Sequence, residues 1–307
     1  MRKTMDGLIN VYKERGFTSH DVVAKLRGIL RQKKIGHTGT LDPEAVGVLP
    51  VCLGKATKVC ELLTDKDKTY EAVMKLGIVT DTQDMTGTVL EQNEVLVTAE
   101  QVNEACQSFL GEYAQIPPMY SALKVNGKKL YELAREGKVV ERKARQVMIH
   151  ELIVNEINLE QGEITMTVSC SKGTYIRTLC QDIGEKLGCG ACMKSLKRTK
   201  VERFTVEESL TLAEIEQLVK EGQIEKYLLE VDEVFIKYPK VVIKEDDCKL
   251  IYNGNHFYPK HMDKAGSDSG ENQLLERVRV YDFQDRFIGL YEYEKVNRRY
   301  KPVKLFL

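Results

Sequence analysis

The chain reads as a two-domain α+β protein, and three observations lead there. Alternating apolar residues mark strands, capping signals open separate amphipathic helices between them, and near residue 234 the texture changes to short strands and turns. At 307 residues there is room for one large domain and a small one.

Residues 7–13 (Gly-Leu-Ile-Asn-Val-Tyr-Lys) read as a short strand. Thr18 or Ser19 then caps a helix whose apolar positions Val22, Val23, Leu26, Ile29 and Leu30 share one face. From Thr69 to Ile78 the period changes to two, with Tyr70, Ala72, Met74, Leu76 and Ile78 on one side of a strand. Thr98-x-x-Gln101 is a capping-box pattern ahead of a helix carrying Val102, Ala105, Cys106, Phe109 and Leu110. Strands are expected at 147–158 and 163–170, followed by a helix from Tyr175 to Leu187 closed by Gly188. Thr211 caps a further helix with Leu212, Ile215, Leu218 and Val219. Between Pro117-Pro118 and Gln146 lies a Tyr-, Lys- and Arg-rich insertion, expected as a mobile excursion rather than core. Past 234, Asn253-Gly254, Asn255 and Gly266 to Gly270 mark loops, and the polar run Asp263 to Asn272 is expected to be flexible.

Hydrophobic content of 42% and charged content of 30% fit a soluble globular protein, and no apolar run approaches the ~18 residues of a membrane span. The N-terminus lacks the apolar core of a secretory signal, so a cytoplasmic protein is expected. Eight cysteines in a chain this long suit a reducing compartment better than a disulfide framework. Cys189-Gly-Ala-Cys192 is the only Cys-x-x-Cys and has no second pair or spaced histidines to complete a zinc site, so buried small residues are expected there and no metal.

Formal net charge is zero, but the charge is unevenly spread. From Lys124 to Arg145 eight basic residues face three acidic ones, and Lys194, Lys197, Arg198, Lys200 and Arg203 face only Glu202. A charge run is more often a solvated face; two such runs in a neutral chain point to a polyanion tracked along one side.

Gly36-His37-Thr38-Gly39-Thr40-Leu41-Asp42-Pro43 places one carboxylate on a glycine-paired turn ahead of a proline. Glycines at 36 and 39 would let the backbone take conformations closed to other residues, and Pro43 restricts Asp42 to an extended geometry. Such a turn presents a candidate nucleophile or base, although on these eight residues alone loop punctuation is the commoner outcome.

Further segments decide between them: Gly47-Val48-Leu49-Pro50-Val51-Cys52-Leu53-Gly54-Lys55-Ala56-Thr57-Lys58, Asp67-Lys68-Thr69-Tyr70-Glu71-Ala72, the run Leu76 to Asp84, Pro117-Pro118-Met119-Tyr120-Ser121-Ala122-Leu123-Lys124, and Ser171-Lys172-Gly173-Thr174-Tyr175-Ile176-Arg177. In order and wording these resemble the bacterial tRNA pseudouridine 55 synthases of the TruB type. The resemblance runs from about residue 6 to 204 and weakens beyond.

It implies a pseudouridine synthase fold with a central, mostly antiparallel or mixed sheet flanked by helices. The catalytic domain would occupy 1–234, with a thumb-like RNA-binding insertion at about 118–146, and a small β-rich PUA-like domain would occupy 235–307. That last segment reads equally as a generic β extension. The implied activity is isomerisation of uridine 55 in the T-loop of tRNA by a stand-alone, monomeric enzyme that needs no cofactor, guide RNA or membrane. Breaking the C1′–N1 bond and rejoining the base through C5 is redox-neutral and suits a nucleophilic carboxylate in a closed pocket. The residues leave open whether that carboxylate adds to C6, bonds to C1′, or assists departure and then removes a proton at C2′.

Residue by residue, the resemblance makes Asp42 the nucleophile and Arg177 the cation that keeps it ionised inside the pocket. Tyr70 would be catalytic as well, stacking on the target uracil with its hydroxyl near the proton that must leave C5, with Tyr175 and Leu196 as other walls; periodicity alone would make these three ordinary core residues. His37, otherwise a solvated turn histidine, would fill the space vacated by flipped bases. Lys58, Lys124, Lys128 and Lys129 would meet phosphates. Two rivals stand beside this reading: a guide-RNA-dependent relative, and a tRNA-folding chaperone without turnover.

Overall fold

The computed structural model describes residues 4–125, 127–263 and 275–307, so most of the expected loop from Asp263 to Asn272, with Gly266 to Gly270, lies outside the described residues. Strand β1 (Gly7–Lys13) is followed by helix α1 (Ser19–Leu30), which opens on a capping box between Thr18 and Asp21 and buries Val22, Val23, Leu26 and Leu30. Strands β2 (Ile35–His37) and β3 (Val46–Leu53) flank the Asp42 turn. A 3₁₀ turn at Gly54–Val59 leads into the short helix α2 (Cys60–Thr64). Strand β4 (Lys68–Leu76) alternates as expected, burying Lys68, Tyr70, Ala72, Met74 and Leu76. The small hairpin β5 (Ile78–Thr80) and β6 (Val89–Gln92) precedes α3 (Ala99–Gln107), whose capping box joins Thr98 and Gln101.

After β7 (Gly111–Gln115) comes the basic insertion, which forms the hairpin β8 (Lys124–Val125) and β9 (Lys128–Lys129) and the helix α4 (Leu130–Arg135). It is not the coreless excursion its polarity suggests. Met119, Leu130 and Leu133 bury against one another and against Tyr120, Leu123 and Val140, giving the insertion an apolar cluster of its own. Strands β10 (Arg145–Asn158) and β11 (Glu163–Cys170) and helix α5 (Ile176–Leu187) follow, with Gly188 closing the helix at φ 76°. Then come β12 (Ala191–Val201), β13 (Phe204–Thr205) and α6 (Leu212–Lys220), capped by Thr211.

These strands form one nine-stranded sheet in the order β1-β3-β12-β4-β11-β10-β7, with β2 beside β3 and β13 beside β12. All its pairings are antiparallel except β3 with β12, which is parallel and short: Lys197 faces Val46 and Arg198 faces Gly47. The chains come very close here. A Cβ on Gly47 would lie 2.2 Å from the Arg198 carbonyl oxygen, and its φ of 105° is one that side chains rarely adopt. One core, built on Tyr70, Met74, Met166 and Val168, lies under α3 and α5; a second, built on Leu26, Val51 and Ile215, lies under α1 and α6.

A separate five-stranded sheet is built from β14 (Lys240–Ile243), β15 (Met262–Asp263), β16 (Arg277–Tyr281), β17 (Phe287–Glu294) and β18 (Arg299–Leu305), in the order β15-β14-β16-β17-β18, with α7 (Cys248–Tyr252) packed on it. It does not hang free. Phe235, Leu290 and Phe306 share a cluster with Leu8, Val48, Cys52 and Phe204 of the large sheet, and the Phe287 and Phe306 rings stack at 5.3 Å. Lys58 adds a polar tie, its Nζ donating to the Leu305 carbonyl at 2.8 Å. Truncating Phe306 to alanine should therefore cost about 3–5 kcal/mol. A lowered urea midpoint would show it, and an unchanged midpoint would mean the two sheets stand independently.

Candidate active site

The parallel junction decides where the site lies. Tyr70 pairs with Arg198 across β4 and β12, and Arg198 faces Gly47 across β12 and β3, so these three residues form one row. Gly47 follows the Asp42 turn by five positions, and Ala72 pairs with Leu196 one step along, so the turn, Tyr70 and Leu196 meet at the break in the sheet.

The turn is held from three sides. Leu41 N–H donates to Ser19 Oγ (2.9 Å), Gly16 N–H donates to the Pro43 carbonyl (3.0 Å), and Lys13 Nζ donates to the Pro43 and Ala45 carbonyls at 2.9 and 2.5 Å. Lys13 is fully buried, and burial brings its ammonium down to about 8, opposed by the charge of Asp42. Gly39 takes the expected unusual backbone, with φ 158°, but Gly36 works differently. Gly36 sits in β2, where a Cβ would come within 3.2 Å of Cys60 Sγ, so its role is room for a neighbour rather than an unusual dihedral.

Asp42 is gripped by Arg177: Nε lies 2.9 Å from Oδ2 and Nη2 donates to Oδ1 at 3.2 Å, a two-pronged pair. The guanidinium is nearly inaccessible, with 6% of its side chain exposed, whereas Asp42 keeps 37%, so the cation is the floor and the carboxylate is the group presented outward. Arg177 also donates from Nη1 to the Thr82 carbonyl (2.9 Å) and from Nη2 to the Tyr120 carbonyl (2.8 Å), and Asp84 Oδ2 stands 3.9 Å from Nη1. It starts α5 beside Tyr175, whose backbone N–H and carbonyl are both clamped by the Gln115 amide at 2.8 and 3.0 Å.

Burial raises the Asp42 carboxyl above its ordinary value. Arg177 pulls the other way, and the negative charge of Asp84 adds to the rise. Tyr70 is buried and its phenol is pushed up to about 12, so it stays protonated at neutral pH. His37, half-buried on β2, accepts a hydrogen bond from Gly39 N–H at Nδ1 (3.3 Å). An amide N–H can only donate, so this contact leaves the ring proton on Nε2, and burial holds the ring below its usual pKa.

A pit with a solvent-facing carboxylate, a buried guanidinium beneath it and an aromatic wall is suited to covalent chemistry on a flat, neutral ring. Residues 27–176 match the family described as TruB family pseudouridylate synthase (N terminal domain), and residues 177–235 match the tRNA pseudouridylate synthase B C-terminal domain. A protein of Lachnoclostridium phytofermentans named tRNA pseudouridine synthase B is 58% identical over 99% of this chain and 100% of its own length. The chain belongs to the TruB family of pseudouridylate synthases. A tRNA pseudouridine synthase B of Alkaliphilus oremlandii is 44% identical over 98% of this chain and 97% of its own. Among solved structures, a chain of a Cbf5-Nop10-Gar1 complex superposes with a TM-score of 0.71 at 28% identity, covering 98% of this chain and 85% of that one. A chain of an H/ACA RNP bound to a substrate RNA containing 2′-deoxyuridine gives the same TM-score at 26% identity, with the same coverage.

Of the residues singled out from sequence, Asp42 pairs with Arg177, Tyr175 precedes Arg177 at the start of α5, Tyr70 and Leu196 share a core cluster with Leu41 beside Asp42, and His37 lies on the strand leading into the Asp42 turn. Lys124 and Lys128 are exposed on the β8–β9 hairpin; Lys128 pairs with Glu136 at 3.4 Å and Lys129 donates to the Tyr131 hydroxyl. Lys58 stands apart, because its ammonium is committed to the Leu305 carbonyl. Arg198 corrects the surface reading of the second basic run. It is 1% exposed, with Nε on the Val48 carbonyl at 2.7 Å, and it lies behind Tyr70, since alternate residues of a central strand must face inward.

Sequence reasoning gave no role to Asp84. Its carboxylate folds the 80–87 loop by accepting from Thr82 Oγ1 (2.7 Å) and Thr86 N–H (2.9 Å), and the loop docks on β12 through Met193. The signal was present in the Thr-x-Asp-x-Thr spacing, which suits an Asx-type turn. Asp84→Asn keeps the acceptor oxygen and removes the charge that disfavours ionisation of Asp42. The acid limb of kcat/KM should therefore move to lower pH. A limb that moves upward or stays in place would sink this electrostatic coupling.

Proposed function

We propose that this chain isomerises uridine 55 in the T-loop of tRNA to pseudouridine, acting in the cytoplasm as a monomer without guide RNA. Family membership supplies the reaction, and the observation that carries the residue assignment is the two-pronged Arg177–Asp42 pair at the mouth of a pit walled by Tyr70 and Leu196.

The target uridine is extruded from the T-loop at a cost of a few kcal/mol in unstacking, and His37 takes the vacated space. In the pit the uracil lies against Tyr70, with Tyr175 and Leu196 as further walls. Arg177 keeps Asp42 ionised against the desolvation that substrate binding adds, which is what a nucleophile in a closed pocket needs. The C1′–N1 bond breaks, the base turns in place and C5 joins C1′; the proton on C5 passes to solvent and N1 takes one up, so the product is an isomer of the substrate. Tyr70 serves as the platform for the uracil ring, with its hydroxyl near the proton that leaves C5.

Residues 1–234 act as the catalytic domain, with the insertion at about 118–146 closing over the RNA arm, and residues 235–307 act as an RNA-binding PUA-like domain. Lys124, Lys128 and Lys129 on the insertion contact phosphates, where the Lys128–Glu136 pair is solvent-exposed and gives way cheaply. Lys58 serves the junction between domains.

Tritium release from C5-labelled uridine in a T-arm stem-loop, with no other RNA or protein present, tests the proposal. The wild-type chain should release tritium. Asp42→Asn should bind the RNA within an order of magnitude of wild type and fall by about 10³-fold or more in turnover. Release only after a guide RNA and partner proteins are added would favour the guide-dependent reading, and binding without release would favour the chaperone. Replacing Lys128 and Lys129 together by alanine should weaken RNA affinity and flatten the log–log salt slope by about 1.5. An unchanged slope would return the run to a solvated face.

A further inference from the structure

Gln115 is the last residue of β7 and only 1% exposed, although its side chain is polar. Across the β7–β10 ladder it faces Arg145, the first residue of β10, so the two ends of the insertion meet at this pair. A primary amide is tolerated in such a place when its donors and its oxygen are all engaged. Here they are: Oε1 accepts from Tyr175 N–H at 2.8 Å, and Nε2 donates to the Tyr175 carbonyl at 3.0 Å and to the Tyr113 hydroxyl at 3.4 Å. We propose that Gln115 is a positioning residue for the isomerisation: it fixes the first turn of α5 to the root of the insertion, and so sets where the Arg177 fork meets Asp42 and where the Tyr175 ring stands. It rests on the reading in which Asp42 reacts and Arg177 keeps it ionised, and adds the group that places them.

Tyr175 needs an outside partner. It is the N-cap of α5, with φ −101° and ψ 109°, and its own side chain makes no capping bond. Its carbonyl accepts the first helical bond, from Leu179 N–H at 3.0 Å, and the Gln115 amide takes the second lone pair. Because one planar amide engages both the N–H and the carbonyl of Tyr175, the peptide planes on either side of its Cα are held together. Neither φ nor ψ can change without straining one of the two bonds. The direction of the Tyr175 side chain is thereby set, and so is the turn that carries Arg177 two residues on. An apolar side chain of the same length would leave the N–H unpaired and the carbonyl with one bond instead of two.

The clasp has a second point. Tyr113, two residues earlier on the same face of β7, donates its hydroxyl to the Asp182 carboxylate, and Asp182 lies about two turns along α5 from Tyr175. Arg177 therefore sits between two anchored points of one helix. The same turn is tied to the 80–87 loop, where Thr178 Oγ1 donates to Gln83 Oε1 at 2.7 Å. The contacts of the guanidinium with Asp42, at 2.9 and 3.2 Å, depend on the axial position and rotation of α5 between these supports.

Gln115→Met keeps the length of the side chain and removes its donors and its oxygen. On a T-arm stem-loop with C5-labelled uridine, kcat should fall by about 10–100-fold while KM stays within about threefold of wild type. The acid limb of kcat/KM should move to higher pH. Burial and Asp84 push the Asp42 carboxyl up, Arg177 and Lys13 pull it down, and a displaced Arg177 pulls less. Amide hydrogen exchange across residues 175–179 of the full chain should speed by about tenfold. Tyr113→Phe leaves the Gln115 amide in place and removes its link to Asp182; it should show the same changes at smaller size, about threefold in kcat. If Gln115→Met does not fold, Tyr113→Phe decides alone.

A lowered thermal midpoint with kcat and the acid limb at their wild-type values overturns the proposal, since Gln115 would then serve stability alone. A raised KM at unchanged kcat overturns it too, because that is the mark of a group that only binds RNA. A wild-type chain that releases no tritium counts against the proposed function, and exchange at 175–179 still judges the clasp: faster exchange in the variants upholds it, and unchanged exchange overturns it.

Discussion

The site depends on one guanidinium. Arg177 has five hydrogen atoms to donate, and it spends them on the Asp42 carboxylate, on the carbonyls of Thr82 and Tyr120, and toward Asp84. Those partners come from the catalytic turn, the 80–87 loop and the base of the insertion, three segments far apart in the chain. A lysine could satisfy Asp42 but could not reach the others in a plane, which is why the position calls for the fork of arginine. Since the cation is 6% exposed and the carboxylate 37%, solvent and substrate meet Asp42 while the charge that balances it is already paid into the fold.

That arrangement needs a fixed platform, and the sheet provides it through an irregularity. An uninterrupted antiparallel ladder would leave no gap in which a turn could stand over a strand. The short parallel contact of β3 with β12 opens one, and the close approach at Gly47 keeps the two strands in register on either side of it. Arg198 fills the space behind Tyr70 with a buried cation, and Lys13 fills the space behind the turn, so the pit is backed by positive charge on two sides. The carboxyl pKa is raised all the same, because desolvation outweighs Arg177 and Lys13, and Asp84 adds a like charge.

Much of this was legible in the sequence, and the boundary of legibility has a physical explanation. Helix starts at Thr18, Thr98 and Thr211 were readable because a capping box is a local device, complete within four residues. Strand β4 was readable because alternation is local too. Asp42, Tyr70 and Arg177 meet through family resemblance rather than through any local rule, since their contact depends on strand order. Arg198 shows the same limit from the other side: its run of cations reads as surface until β12 is known to be central and its alternate residues are turned inward. Lys58 read as a phosphate ligand because the docking of the second sheet, which brings Leu305 within 2.8 Å, is a contact across 247 positions.

The docking itself bears on how RNA is held. Because Phe306 and Leu290 share a core with Leu8 and Val48, the C-terminal sheet moves with β1 and β3, and β3 is one of the two strands that flank the Asp42 turn. A cation on β18, such as Lys304, therefore keeps a constant relation to the Asp42 carboxylate. The insertion is tied differently. Its hairpin and α4 have a separate cluster, and the Tyr120 carbonyl at its base accepts from Arg177. A change in the position of that segment is therefore felt directly by the residue that holds Asp42. The position of the insertion and the poise of the Asp42 carboxylate are thus linked through Arg177.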